Sequence, residues 1–525
     1  MAMKTLAREI AGQMKVLGTP RAFGVPGGGS SLQLIEAFED AGIPFVLTAT
    51  ESAAAIMAAV TGELTGAPGV ALAGVGPGAA SAVNGVAYSH LERAPMAMFT
   101  DGPASSLHQA FDQNGLYAPI TRARGRLTPE TGAAVLAEGL ARALTVPPGP
   151  VQFDLTAGDA KAHARAAPLL APADPAPQSE GDIAALIAAS RRPAFIVGLE
   201  ARSDTVSAAV VRLLDNVTAP VFTSYRAKGV VPCAHPRMIG HFTGASLEAA
   251  CLGRADLLVF LGFDPVEMIP APWRYQAPVI ELRAADGAGL PVPPAARATG
   301  DLESLIEDLA SLQWQSEWTA DTLSDFKNKQ AAALRVSGSG NTVDTIMDAV
   351  NEHAPDNAVL TVDAGAHMIS AMARWRAGAP NSVFKSNGLS TMGYALPAAI
   401  AASLNDPARK VIALTGDGGM LMCLSELTTA AGLGCNLTVI VLNDGALSLI
   451  DIKQQAQQMK RRGVAGHAVD FAQAARGFGV AAECVGIDQD PGTAIRRAFS
   501  GSGPALLDIR TDPSGFARQL EVLRG

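Results

Sequence analysis

The sequence predicts an α/β protein of three doubly wound parallel-sheet domains, and three observations carry that prediction. The chain has 525 residues, room for about three domains of ordinary size. Hydrophobic residues make up 48% of it and charged residues only 17%, a balance that calls for large buried sheets. Short apolar runs that break at glycine or an acid alternate with helical stretches, the rhythm of parallel strands joined by crossover helices.

The first part runs over residues 1–165. Thr5 to Leu17 reads as an amphipathic helix, and Phe23-Gly-Val-Pro26-Gly27-Gly28-Gly29 as a strand end and turn. A helix over Leu32 to Asp40, a strand at Phe45 and a small-residue helix opened by Thr50-Glu51-Ser52 follow. Val70 to Ala73 is a strand ending at Gly74-Val-Gly76-Pro77-Gly78; a helix through Asn84 to His90 and a strand from Met96 come next. Residues 161–182 are rich in Ala and Pro and read as a linker. The central part, 182–312, has strand-like runs at Ala194, Val221, Leu257 and Pro278. A polar stretch through Asp325 and Ser337-Gly-Ser-Gly marks a second linker. The third part, 341–525, carries strands at Ala358, Val411 to Leu414, Leu437 to Leu442 and Ala505. No short repeat is found; the architecture is what repeats.

A net charge of −9 argues against a nucleic-acid partner. The five cysteines (Cys233, Cys251, Cys423, Cys435, Cys484) are odd in number and scattered, and read as buried thiols of a reducing compartment. The N-terminus carries charges every few residues and lacks a signal-peptide core. With no long uncharged apolar run there is no membrane span to expect, so the expectation is a cytoplasmic enzyme.

Chemistry concentrates in one stretch. A strand breaks at Gly416-Asp417-Gly418-Gly419, and the next breaks at Asn443-Asp444-Gly445, with a crossover helix read between them. Ligands of open α/β sheets bind at the carboxyl ends of strands. Two carboxylates there, with glycines that let backbone N–H groups approach, suit a Mg²⁺ that also holds a diphosphate. Glu51 follows a strand and sits among alanines. It is suited to sharing a proton with a ring nitrogen, or is simply a helix-start glutamate favoured by the helix dipole. Gly27-Gly28-Gly29 and Gly76-Pro77-Gly78 admit a ligand to the backbone, or are plain tight turns. His367, in Asp363-Ala-Gly365-Ala366-His367, stands at a helix start where phosphate could bind.

In order along the chain, these motifs resemble those of thiamine diphosphate-dependent enzymes of the acetolactate synthase-like group. Gly416-Asp417-Gly418 to Asn443-Asp444 is similar to the cofactor's diphosphate-binding motif. Phe23 to Gly28, Thr50-Glu51 and Gly76-Pro77-Gly78-Ala79-Ala80 are similar to the pyrimidine-binding domain. Gly388-Leu-Ser390-Thr-Met392-Gly393 looks like the segment that bends the cofactor. The resemblance implies a Mg²⁺ held by Asp417, Asp444 and the Ala446 carbonyl, within the turns Gly416 to Gly419 and Asp444 to Leu447. It implies that Gly365, Ala366 and His367 approach the diphosphate from the other side. Met392 would support the bend, and the Ser390 carbonyl would accept from the 4′-amino group. Pro26 and Gly76 would flank the pyrimidine, and Glu51 would hydrogen-bond its N1′ nitrogen. That bond favours the imino tautomer that takes the proton from the thiazolium, giving a carbanion that attacks a carbonyl substrate. His108 and Gln109 match a Phe-Gln pair of relatives and, with Gly27 and Gly28, are substrate-pocket candidates. The family also implies an active site shared between subunits of a homodimer or homotetramer.

Four departures qualify the resemblance. Asp444 replaces an asparagine, Thr50 stands where many relatives have His, and Pro77 where certain decarboxylases carry a catalytic His. Leu447 to Gln454 lacks the usual aromatic, which points to a different substrate. The leading reading is a lyase or transferase acting on a 2-oxo acid, by decarboxylation, carboligation or both. A second is biosynthetic acetolactate synthase with FAD in the middle domain, against which the compact middle part and short tail speak. A third is a non-catalytic cofactor-binding relative, against which Glu51 and both metal positions speak. A nicotinamide-binding protein is disfavoured, since no Gly-x-Gly-x-x-Gly opens a helix with an acid about 20 residues on.

Overall fold

The computed structural model describes residues 4–102, 109–173, 175–466 and 468–524. Its strands gather into three sheets. The first holds β1 (Ala22–Val25), β2 (Phe45–Leu47), β3 (Gly69–Ala73), β4 (Met96–Asp101), β5 (Ala123–Arg126) and β6 (Pro150–Leu155) in the order β2-β1-β3-β4-β6-β5. The second holds β7 (Gln178–Glu180), β8 (Pro193–Val197), β9 (Val221–Thr223), β10 (Met238–His241), β11 (Leu257–Leu261), β12 (Val279–Arg283) and β13 (Ala296–Thr299), ordered β10-β9-β8-β11-β12-β13-β7. The third holds β14 (Val359–Val362), β15 (Val383–Lys385), β16 (Val411–Gly416), β17 (Leu437–Asn443), β18 (Ala481–Val485) and β19 (Ala505–Arg510), ordered β15-β14-β16-β17-β19-β18. The three-domain α/β architecture is the one the sequence predicts.

The first and third sheets share one topology. Each first connection runs outward on one side, and the third strand returns to the other side of the first. That puts a crevice between β1 and β3, and another between β14 and β16, where ligands of such sheets bind. Every strand pairing in these two sheets is parallel. The central strands are buried along their length and carry continuous apolar runs, as sheets covered by helices on both faces require.

The same topology explains how the two sheets meet. The helix after β2, Glu51–Thr65, and the helix after β15, Ala395–Asn405, occupy equivalent places. Both are alanine-rich and buried along nearly every turn, so neither has a polar face. Helices apolar all round must lie in a core, and these two belong to one cluster that joins the first and third domains. The buried hydroxyls of Tyr88 and Tyr394 meet there at 2.8 Å.

Several local expectations change. The stretch 161–182 contains β7, which pairs antiparallel with β13, so the central sheet begins before residue 182. Its three residues are all exposed, leaving no apolar alternation to read. The polar stretch around Asp325 is a helix, Ala320–Ala333, capped by Thr319 and burying only Leu323 and Phe326. The single crossover helix after Asp417 is two, Asp417–Cys423 and Glu426–Gly432. Of the cysteines expected to be buried, Cys484 is exposed and Cys233 half-buried, and all five are free thiols.

Candidate active site

The crevice between β14 and β16 opens into a cavity of about 700 Å³. Gly365, Ala366, His367, Ser390, Met392, Gly416, Asp417, Gly418, Gly419, Asp444, Ala446 and Leu447 all line it. These twelve residues come from four separate stretches of the third domain. All twelve are candidates from the sequence motifs, and the topology brings them to one place.

Asp417 opens the short helix after β16, and its carboxylate accepts from the Gly418 N–H at 2.8 Å. Asp444 follows β17 and accepts from the Ala446 N–H at 3.1 Å and from the Ser448 hydroxyl at 2.5 Å. Burial pushes the Asp444 carboxyl up to about 6, and the neighbouring Asp417 carboxylate adds to the rise. Burial likewise raises Asp417. Two carboxyl groups that each disfavour their own charge fit a divalent cation, which would relieve both. Among the described residues no three acid, His or Cys side chains cluster as a metal cage. A cation here would therefore rest on two carboxylates and on oxygens of a bound ligand, the usual arrangement of a Mg²⁺–phosphate site.

The glycines are set by close approach. A side chain on Gly418 would begin 2.6 Å from Leu447 Cδ2 and 3.2 Å from Met392 Cε. On Gly419 it would lie 2.3 Å from Asp363 Oδ2. Across the crevice His367 stands at the start of the helix Met368–Arg374 without a side-chain capping bond, and its ring packs on Gly365. Burial lowers His367 to about 4, so the ring is neutral near pH 7. Its Nε2 is buried without a hydrogen-bond partner. An orphaned ring nitrogen and two carboxylates lining one glycine-rich cavity suit an anionic ligand that brings its own cation. Ser390 has φ +54°, a left-handed conformation that a serine adopts only under constraint.

The group that holds these pieces together is not one of the sequence-predicted site residues. Asp363, directly after β14, is fully buried. It accepts from the N–H groups of Ala364 (2.9 Å), Gly393 (3.0 Å) and Tyr394 (3.3 Å) and from the Thr415 hydroxyl (2.8 Å). One carboxylate thus ties the His367 turn, the Met392 turn and the Asp417 turn to one another. An acid at a strand's carboxyl end is the signal that flagged Asp417 and Asp444, and it was present here too. Glu92 is a second such residue. It comes from the first domain and accepts from Asn387 N–H and, at 2.8 Å, Gly388 N–H, just before Ser390. Buried Arg226, from the central domain, lies 3.1 Å from Glu92 and also pairs with Glu63. No local pattern announces Glu92, because its partners lie about 300 residues away.

The first domain's candidates form a separate group. A side chain on Gly27 would lie 2.8 Å from Gly74 Cα, so these two backbones meet at the crevice between β1 and β3. Asp101 pins this turn by accepting from Gly29 and Ser31 N–H groups. Gly76, with φ +68°, donates to Gln113 Oε1, and a side chain on it would meet the Gln109 carbonyl. Glu51 Oε1 lies 3.1 Å from where a Gly78 side chain would start. Glu51, Pro26, Gly27, Gly28, Gly76 and Gln109 therefore do not line the large cavity; among the described residues none from the first domain does. His108 lies outside the described residues.

The chain is similar to known proteins along nearly its whole length. The family models described as thiamine pyrophosphate enzyme match in three successive pieces. The N-terminal TPP binding domain covers residues 4–121, the central domain 181–309 and the C-terminal TPP binding domain 363–509. Acetolactate synthase of Bacillus subtilis (strain 168) is 28% identical over 95% of this chain and 91% of its own. Acetolactate synthase isozyme 1 large subunit of Escherichia coli (strain K12) is 29% identical, over 93% and 91%. A probable 2-ketoarginine decarboxylase of Pseudomonas aeruginosa is 28% identical, over 94% and 91%. In fold, the chain superposes on a Rhodococcus jostii RHA1 thiamine diphosphate-dependent 4-hydroxybenzoylformate decarboxylase with a TM-score of 0.84 at 20% identity, covering 97% and 99% of the two chains.

Proposed function

The chain belongs to the thiamine pyrophosphate-dependent enzymes of the acetolactate synthase-like superfamily, and on that premise we propose that it is a Mg²⁺-dependent lyase or carboligase acting on a 2-oxo acid. The observation that supports this most is the convergence of two raised carboxyls and the orphaned His367 nitrogen on one glycine-lined cavity. When bound, thiamine diphosphate supplies a carbon nucleophile and an electron sink for cleaving or making a bond beside a carbonyl.

The chain's own residues have the remaining tasks. Asp417, Asp444 and the Ala446 carbonyl would hold the cation, and neutral His367 would donate its Nε2–H to a phosphate oxygen. The Ser390 carbonyl would orient the pyrimidine amine, and Met392 would fill the space beneath the ring system. Glu51 would hold and return a proton at the pyrimidine N1′ nitrogen. Since among the described residues none from the first domain lines the cavity, Glu51 would arrive from a second copy of the chain, making the homodimer the smallest active unit. Exposed Lys453 and Arg524 flank the cavity beside Ile269, Ile450 and Phe516, a mouth suited to a carboxylate with an apolar remainder.

A flavin reading has less support. The central sheet's own crevice, between β8 and β11, is closed by the chain itself. A side chain on Gly198 would start 2.2 Å from Phe263 Cα, and buried Glu267 accepts from the Leu199 N–H at 2.9 Å. Arg283 pairs with Glu200 beside it at 3.0 Å.

The proposal is tested by incubating the protein with thiamine diphosphate, Mg²⁺ and a panel of 2-oxo acids, with and without an acceptor aldehyde. Cofactor-dependent CO₂ release, with an aldehyde or a ligated product, is expected. Cofactor binding without turnover of any 2-oxo acid would favour the non-catalytic reading. A flavin absorption band in the purified protein would revive the second.

A further inference from the structure

Behind the candidate active site lies a second, smaller cavity of about 170 Å³. Tyr225 and Thr243 line both cavities. The smaller one is walled by the central domain, by the helix Ala320–Ala333 and by the end of the helix Met368–Arg374. Its charged lining residues are Lys228, Lys327, Arg374 and Arg376, and among the described residues no aspartate or glutamate lines it.

Lys228 is buried, and among the described residues no carboxylate lies within ion-pair distance of its ammonium. Its side-chain contact is His241 Nε2 at 3.2 Å. That nitrogen also lies 3.0 Å from the Met372 carbonyl. If Nε2 carries the proton, it donates to Met372 and offers Lys228 nothing; if it does not, Lys228 gains one neutral acceptor. Burial, and then the nearby Lys228 charge, holds the imidazole down at about 3, so it brings no charge of its own. A buried ammonium with no counter-charge is costly to the fold. A second group points the same way. Trp375 lines this cavity, is buried, and its indole N–H has no partner. Of the other cations, Arg374 is engaged by Asp348, and Lys327 donates to the Cys233 carbonyl at 3.0 Å.

An uncompensated ammonium and an orphaned indole donor, in an acid-free cavity, call for a negatively charged acceptor. The volume corresponds to about five or six waters, too small for a nucleotide and ample for a small ion. We propose that this cavity binds a small oxyanion, held by Lys228 and the Trp375 N–H, at a site distinct from the cofactor cavity. Inorganic phosphate and a short carboxylate share that chemistry.

The test uses protein saturated with thiamine diphosphate and Mg²⁺, so that the diphosphate site is already filled. Phosphate and, separately, acetate are titrated at constant ionic strength and followed by calorimetry. One saturable site per chain is expected, and the anion that binds identifies the class. Lys228→Met should weaken binding by roughly tenfold or more, while unfolding in chloride buffer at the same or a higher temperature, because an uncompensated buried charge is gone. Trp375→Phe, which removes only the donor, should weaken binding several-fold by the loss of one charge-assisted hydrogen bond. Saturable binding of neither anion, or unchanged binding in both variants, overturns the proposal.

Discussion

Asp363→Ala is the most informative single substitution, because its effect can be worked out donor by donor. The wild-type carboxylate accepts four hydrogen bonds that bind three turns together. On its removal, the Thr415 hydroxyl keeps an alternative in the Gly416 carbonyl at 3.1 Å. The Ala364 N–H is only part-buried and can recruit water. The Gly393 and Tyr394 N–H groups are buried and have no such recourse. Each buried donor left unpaired costs about 1–3 kcal/mol, so the pair costs about 2–6 kcal/mol. The space vacated beside Gly419 also frees the Asp417 turn to move. If even about 2 kcal/mol of this falls on the arrangement that binds cofactor, affinity for thiamine diphosphate drops roughly 30-fold. Calorimetric titration with thiamine diphosphate in excess Mg²⁺, alongside a thermal melt, measures both parts. Affinity within threefold of wild type together with an unchanged melting temperature would refute the role given to Asp363.

Asp363→Asn carries a pH signature. Burial raises the folded carboxyl from its ordinary 3.8 to about 6, so its favourable contribution is complete below about 3.8 and is lost as pH rises through about 6. The stability advantage of wild type over the variant should therefore shrink by up to about 3 kcal/mol between pH 4 and pH 7, and a pH-independent difference would contradict it. Glu92→Gln, which keeps the shape but weakens the grip on Asn387 and Gly388, should lower thiamine diphosphate affinity about tenfold, the scale of one charge-assisted bond. Unchanged affinity would leave Glu92 with only a folding role. Glu51→Gln and Asp417→Ala should each be inactive alone. Co-assembled, they should recover about a quarter of wild-type activity, because half the sites of a mixed dimer are intact and half the dimers are mixed. No recovery would mean each chain carries its own complete site.

The third domain was legible because its chemistry sits where strands end. Apolar runs breaking at Asp417 and Asp444 mark the carboxyl edge of a parallel sheet, and the crevice of that sheet gathers whatever follows each strand. Met392 and Ser390 were legible only through the family resemblance, since nothing local shows that a turn after β15 reaches back to β16. Asp363 carried the right signal, an acid at a strand end, but its buried position became visible only with the Gly393 and Thr415 donors around it. Glu92 and Arg226 were beyond reach, because their importance arises from three domains meeting. β7 was missed because a three-residue exposed edge strand has no apolar period to detect. The polar helix Ala320–Ala333 buries two side chains in fourteen residues and so looked like a linker.

The central claim is that this cavity holds thiamine diphosphate through a metal bound by Asp417 and Asp444. Calorimetric titration of the purified protein with thiamine diphosphate tests it most directly, once with Mg²⁺ and once with a chelator, repeated on Asp417→Ala. Saturable binding at one cofactor per chain, abolished by the chelator and by the substitution, is the predicted result. Binding that neither treatment weakens, or no binding with Mg²⁺ at millimolar cofactor, would contradict it.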